Sequence, residues 1–206
     1  KVLALVLTLI AAASGAAYAN WTASGTFRYV DREFDQSGFT GVQPSLPIRL
    51  ATVQVRDFNA NGGNALLATG STDANGNFSI AVTDNKTRTV YVRVLSTSTA
   101  VSTLFLKVEN VYTPKSPYAV SSANVPNHNP NTNVNFGTTT AAIGSGAEPF
   151  NIYDVALRSV DFIAALNGSR PGSANLLTLE WESISGNPIS SYDYGAKRIH
   201  VGDPSA

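Results

Sequence analysis

The chain has 206 residues, a formal net charge of zero, 43% hydrophobic residues and only 14% charged residues. This composition is too apolar for a disordered tail, and the length fits one domain or two small ones with a packed core. Balanced charge without basic runs argues against nucleic acid as a partner. The sequence has no cysteine, which excludes disulfides, thiolate metal sites and a cysteine nucleophile.

The first 19 residues are typical of a secretory signal peptide. An apolar run from Val2 to Ala13 follows Lys1, and Ala17-Tyr18-Ala19 has the small-x-small pattern of a cleavage site. The run is shorter than the roughly 20 residues that a membrane-spanning helix needs. We therefore expect the N-terminal part of an exported bacterial protein, secreted or at the cell surface, with no membrane attachment after cleavage.

Alternating apolar residues predict β-structure over residues 20–111. The first predicted strand, 21–30, turns Trp21, Ala23, Phe27 and Tyr29 to one face. The alternation changes parity at Ala51, which indicates either a bulge or two short strand pieces. Asn75-Gly76 predicts a tight hairpin, because both central positions of that turn need positive φ.

The second half is predicted to mix a helix with strands. Residues 112–146 hold four prolines and many Asn, Ser and Thr, and we interpret them as a linker or wrap-around segment. Spacings of three and four between apolar residues predict a helix over about 150–166, which Asn167-Gly168 would end. Strands over about 176–182 and 196–201 complete a segment, 147–206, that we interpret as a truncated α+β domain.

One turn carries a resemblance to a known family. The segment Thr72-Asp73-Ala74-Asn75-Gly76-Asn77-Phe78 resembles the T-D-x-x-G-x-F turn of carboxypeptidase regulatory-like (transthyretin-like) β-sandwich domains. In those domains a V-x-V-x-D strand precedes the turn, as Val53-Gln54-Val55-Arg56-Asp57 does here. The resemblance implies a seven-stranded antiparallel sandwich that serves as an accessory or adhesive module and carries no catalytic residues.

The second half resembles the lead-in to a zincin-type metalloprotease domain. The resemblance rests on the helix that begins Pro149-Phe150-Asn151-Ile152-Tyr153-Asp154 and on the two strands that follow it. In that family an H-E-x-x-H helix supplies two zinc-binding histidines and a general base. The 206 residues contain no such motif, and His128 and His200 are their only histidines. The resemblance thus implies zinc in a longer parent protein, and we expect no cofactor in this fragment.

The expected fold is therefore mainly β: an antiparallel sandwich of transthyretin or immunoglobulin type, followed by a small α+β segment with one main helix. We predict no catalytic residue in it. Asp57, Asn59 and Asn61 match the first half of a calcium loop, but Ala68 stands where that loop needs a bidentate Glu, so we interpret them as turn residues.

The remaining charged candidates are interpreted as surface residues. Glu180 and Glu182 flank Trp181, and we interpret them as a solvated strand face rather than an acid–base pair. His128, in the predicted linker, and His200, on the last predicted strand, are expected to be exposed.

Three functions remain open. The first is a non-catalytic β-sandwich module that binds a protein or glycan ligand or acts as a spacer. The second is an accessory region before a secreted zinc metallopeptidase domain whose H-E-x-x-H motif would lie beyond Ala206. The third is a surface filament or adhesin subunit that keeps its apolar N-terminal strand and donates it to a neighbour.

Overall fold

The computed structural model describes residues 20–59, 64–98, 106–168, 176–181 and 189–202, so the predicted signal peptide lies outside the described residues. The expectation of a mainly β protein with one main helix in its C-terminal part is confirmed. The strands are β1 (Asn20–Val30), β2 (Phe34–Asp35), β3 (Gly38–Phe39), β4 (Ser45–Pro47), β5 (Thr52–Asp57), β6 (Ala65–Ser71), β7 (Asn77–Thr83), β8 (Arg88–Leu95), β9 (Thr97–Ser98), β10 (Leu106–Asn110), β11 (Ala119–Ser121), β12 (Val125–His128), β13 (Val134–Ala141), β14 (Leu177–Trp181), β15 (Ser191–Asp193) and β16 (Arg198–His200). The helix α1 spans Ala147–Asn167. No helix in the described part of the chain has the length and apolar character needed to cross a membrane.

Strand β1 is the centre of the first sheet. It pairs in parallel with β13 on one edge, and on the other edge it pairs antiparallel with β7 and then with β4. Trp21, Ala23, Phe27 and Tyr29 are buried on one face, as their alternation predicts. Phe27 of β1 lies between the residues that pair with β7 and those that pair with β4. Its N–H donates to the Gly76 carbonyl, and its carbonyl accepts the N–H of Ile48.

The second sheet is antiparallel and packs its valines against the first. Its order is β11 and β12 side by side, then β8, β5 and β6. The valines of β5 and β8 form one core with the inward residues of β1 and β7, which gives a sandwich-like arrangement. These buried valines are Val53, Val55, Val90, Val92 and Val94.

The parity change at Ala51 marks a crossing between the two sheets. Strand β4 ends at Pro47 in the first sheet, and β5 begins at Thr52 in the second. Leu50 turns the chain with a positive φ of 54°. Of the two alternatives left by the sequence, two short strand pieces are therefore correct.

The predicted hairpin at Asn75-Gly76 is wrong, because the strands on either side of it lie in different sheets. Strand β6 pairs with β5 in the second sheet, whereas β7 pairs with β1 in the first. The turn itself forms: Asp73 Oδ1 accepts the N–H groups of Asn75 and Asn77, each at 2.8 Å. The turn residues thus predicted the position of the turn correctly. They carry no information about which strands β6 and β7 pair with.

The segment 112–146, predicted as a linker or wrap-around segment, contacts both sheets of the sandwich and supplies three of its strands. Strands β11 and β12 pair with β8, and β13 pairs with β1. The predicted boundary at residue 111 therefore falls inside the β-structure. The sequence pattern was weak because β13 is an edge strand with three Thr and one Asn, and four of its eight residues are exposed.

The third sheet is mixed and lies in the C-terminal half. Its order is β15-β16-β14-β10-β9, and β10, β14 and β16 run parallel. Strand β10, which the sequence suggested as part of the sandwich, belongs here. Helix α1 packs on β10 and β1 with Phe150, Tyr153, Leu157 and Val160 buried, as predicted. It ends at Asn167, and Gly168 follows with a φ of 73°, as the Asn167-Gly168 pair predicts.

Gly76 should be intolerant of any side chain. Its φ is 81°, and a Cβ there would overlap the carbonyl oxygen of Phe27. We expect Gly76→Ala to lower the free energy of unfolding by about 2–3 kcal/mol. Gly137 has a φ of 68° but open space around it, so Gly137→Ala should lose only about 1 kcal/mol. Urea denaturation of both variants measures the difference, and equal losses would contradict the steric argument.

Candidate functional site: a cleft between the sandwich and the third sheet

A cleft of about 610 Å³ opens where the sandwich meets the third sheet. One wall is the end of β1 and the chain that follows it, and a second is the first turns of α1. The third wall is formed by the carboxyl ends of β14 and β16, at Trp181 and Val201. Carboxyl ends of parallel strands and junctions between structural layers are the usual positions of ligand sites.

A buried ion pair holds α1, which forms one wall of the cleft, against the sandwich. Asp154 is 3% exposed and receives Arg49 Nε on Oδ1 at 2.6 Å. Its Oδ2 accepts the Tyr29 hydroxyl at 3.1 Å and lies 2.7 Å from Arg158 Nη2. Burial, reinforced by the Asp154 carboxylate, raises the pKa of Tyr29 far above its usual value, so the phenol stays protonated as a donor.

The polar side chains of the cleft are held by local hydrogen bonds. Asp31 Oδ1 accepts the backbone N–H of Arg32 at 2.8 Å and the side-chain amide of Asn151. Glu148, in the first turn of α1, accepts the N–H of Gly144 on Oε1 at 2.6 Å. Among the described residues, no hydrogen bond is seen to the second carboxylate oxygens, Asp31 Oδ2 and Glu148 Oε2, and both residues line the cleft.

Two aromatic side chains complete the cleft. Trp181 is half-buried at the end of β14, where Tyr118 donates a hydrogen bond to its carbonyl at 3.0 Å and the two rings lie 5.6 Å apart. Phe34, on the short β2–β3 arm, is 68% exposed and contacts Phe39 with ring centroids 5.7 Å apart. The cleft thus has one aromatic residue that is packed against the protein, Trp181, and one that is largely exposed, Phe34.

Glu180 is buried, and its interpretation as a solvated residue is wrong. It lies on the central strand β14, is 2% exposed, and pairs with Lys115, Arg198 and His200, whose Nδ1 is 3.1 Å away. Burial alone would raise the pKa of Glu180, but hydrogen bonds and charge from Lys115 and Arg198 lower it below its usual value. Glu182 lies outside the described residues.

Glu109 stands beside Glu180 on the neighbouring strand β10, in register. It is 2% exposed and pairs with Lys107 at 2.5 Å, while its Oε1 has no partner among the described residues. With Lys107, Lys115 and Arg198 around them, these two carboxylates are balanced by cations and make a structural ion-pair network.

The two histidines lie in different sheets. His128 is 5% exposed on β12, with Nε2 2.7 Å from the Thr132 carbonyl and its ring 4.2 Å from Trp21, so its predicted exposure is wrong. His200 is half-buried on β16, its side chain 41% exposed. In the described part of the chain, no three His, Asp or Glu side chains come together as a metal site.

The calcium-loop candidates make turn and ion-pair contacts instead. Asp57 Oδ2 pairs with Arg88 at 2.6 Å, and Asp57 Oδ1 accepts the N–H of Asn59 at 3.0 Å. The Asn59 amide donates to the Thr89 hydroxyl at 2.8 Å. Both oxygens of Asp57 are thus engaged, and Asn61 lies outside the described residues.

Sequence reasoning missed the cleft itself. Its polar residues Asp31, Arg32, Glu148 and Asn151 come from two chain segments more than a hundred positions apart. No sequence motif links the two segments, and only the docking of α1 brings these residues together.

Comparisons with known proteins leave the family open. No protein-family model matches the chain, and no curated protein matches it. Among solved structures, part of the chain is similar to a 9R-lipoxygenase from Cyanothece, with 17% identity and a TM-score of 0.34. That likeness covers 65% of this chain and 18% of the lipoxygenase, and at this TM-score it carries no argument about function.

Glu180 should give the protein a defined acid sensitivity. Because its pKa is lower in the folded than in the unfolded chain, its stabilisation is complete above about pH 4.5 and is lost as the pH falls through the folded pKa. At pH 7 we expect Glu180→Gln to lower the free energy of unfolding by about 3 kcal/mol, since it leaves Lys115 and Arg198 without their carboxylate.

The difference between the wild type and Glu180→Gln should shrink as the pH is lowered below about 4.5. Urea denaturation of both proteins across that range measures it. A difference that stays constant with pH would show that Glu180 acts through packing rather than charge.

Proposed function

We propose that residues 20–206 are a non-catalytic binding module of an exported bacterial protein, with the cleft as its ligand site. The observation that carries the proposal is the cleft itself, of about 610 Å³, which joins aromatic walls to a few fixed polar groups. Ligand sites in proteins share this volume range and this mixture of apolar walls with a few oriented polar groups.

The T-D-x-x-G-x-F segment supports a carboxypeptidase regulatory-like sandwich as the scaffold of the module. Thr72 exchanges two hydrogen bonds with Ala51, both at 2.9 Å: its hydroxyl accepts the Ala51 N–H, and its own N–H donates to the Ala51 carbonyl. Phe78 is buried and stacks on Phe27 with ring centroids 5.4 Å apart. Together with the Asp73 turn and the close approach of Gly76, every defining residue of the motif has a structural role, which fits a stabilising motif rather than a catalytic one.

The non-catalytic part of the proposal is tested by incubating the purified exported protein with peptide and glycan substrates. We expect no turnover above that of a heat-denatured control, because the titratable groups of the cleft are fixed by local hydrogen bonds and form no nucleophile–base pair. Sustained turnover of any substrate, abolished by substitutions at Asp31 or Glu148, would contradict the proposal.

A second candidate is an accessory region that precedes a secreted zinc metallopeptidase domain. The observation that favours it is an apolar groove of about 450 Å³ between α1 and the strands β14 and β16. Val155 and Ile163 of α1 line it and are 55% and 39% exposed, and Leu179 and Ile199 line it from the strands. Parallel strands are normally covered by helices, so a further helix packed in this groove would complete an α/β layer.

The gene decides between the two candidates. For the metallopeptidase, we expect an H-E-x-x-H motif encoded within about 50 residues after Ala206, and zinc bound by the longer protein. An open reading frame without that motif would exclude the second candidate and leave the binding module in place.

A further inference from the structure

The cleft has the size and lining to hold one or two sugar rings. Its volume of about 610 Å³ lies well within the range of small-molecule sites. Trp181 and Phe34 line it, and a pyranose has a C–H face that packs on aromatic rings.

The polar groups of the cleft favour a ligand that is rich in hydrogen-bond donors. Asp31 and Glu148 each use one carboxylate oxygen for the protein's own turns, at Arg32 and Gly144. The other oxygens, and the carbonyl of the Asn151 side chain, are acceptors, while Arg32 supplies donors. Sugar hydroxyls both donate and accept, so vicinal hydroxyl pairs match carboxylate, amide and guanidinium groups.

The strands around the cleft disfavour an extended peptide. Recognition of a peptide main chain needs an unpaired strand edge. The strands of the two large sheets that reach the cleft are paired on both edges: β1 by β13 and β4, β14 by β10 and β16, and β16 by β14 and β15. Strand β2, which carries Phe34, pairs only with β3 in the described part of the chain, but it is two residues long and offers little main chain to a peptide. Recognition at this position therefore comes mainly from side chains.

We propose that the cleft binds a saccharide, through stacking on Trp181 and Phe34 and hydrogen bonds to Asp31, Glu148 and Asn151. This inference rests on the proposed binding function and names the class of its ligand. It makes Phe34 a specificity-determining residue, although it stands on an exposed two-stranded arm outside the core.

The test is isothermal titration of the purified exported protein with cellotriose, maltotriose and N,N′-diacetylchitobiose, each up to about 5 mM. We expect at least one to bind, and Phe34→Ala to weaken that binding about tenfold. Phe39→Ala is the matched control, because it lies on the same arm and removes the same ring pair but does not line the cleft. Equal melting temperatures establish that both variants are folded.

Three results would overturn the inference. They are no binding of any of the three sugars, binding that both variants weaken equally, and binding of a pentalysine peptide in the cleft in place of the sugars. The last result would leave the binding function intact and change only the ligand class, whereas substrate turnover would refute the binding module itself.

Discussion

The ion pair between Arg49 and Asp154 is the contact on which the arrangement of the two halves depends. Asp154 is almost completely buried, and a buried carboxylate without partners would be strongly destabilising. Arg49 stands in the segment where the chain crosses from the first sheet to the second. The helix is therefore fixed to the most constrained connection of the sandwich, and the hydrogen bond from Tyr153 to the Leu50 carbonyl at 2.9 Å reinforces that position.

The same crossing region organises the sandwich. Thr72 is bonded to Ala51, and Gly76 and Ile48 are both bonded to Phe27, so the connections after β4 and β6 close on the middle of β1. A strand that pairs with three others and is also bonded to two crossings tolerates little change in register. This explains why a glycine at position 76 matters, since it lets the backbone approach β1 without a clash.

The periodicity of apolar residues predicted which side chains are buried, but not which strands pair with each other. The inward faces of β1, β7, β8 and α1 follow from the sequence because burial imposes a period of 2 or 3.6 on apolar residues. The partners of β6, β10 and β13 did not follow, because pairing is decided by contacts between residues distant in the chain. Glu180 and His128 were misjudged for a related reason: a polar residue looks exposed until the partners that bury it, Lys115 or Thr132, are placed beside it.

The two open surfaces beside α1 differ in the chemistry of their lining residues. The cleft carries carboxylates, an amide and aromatic rings, whereas the groove is lined almost entirely by aliphatic side chains. An aliphatic groove is the kind of surface on which helices pack, and a mixed cleft is the kind that binds small polar ligands. Because Asn151, Ile152 and Val201 line both surfaces, a helix in the groove would stand beside the cleft and stiffen one of its walls. The proposed ligand site and the proposed contact with a following domain would thus occupy neighbouring but different surfaces of this scaffold.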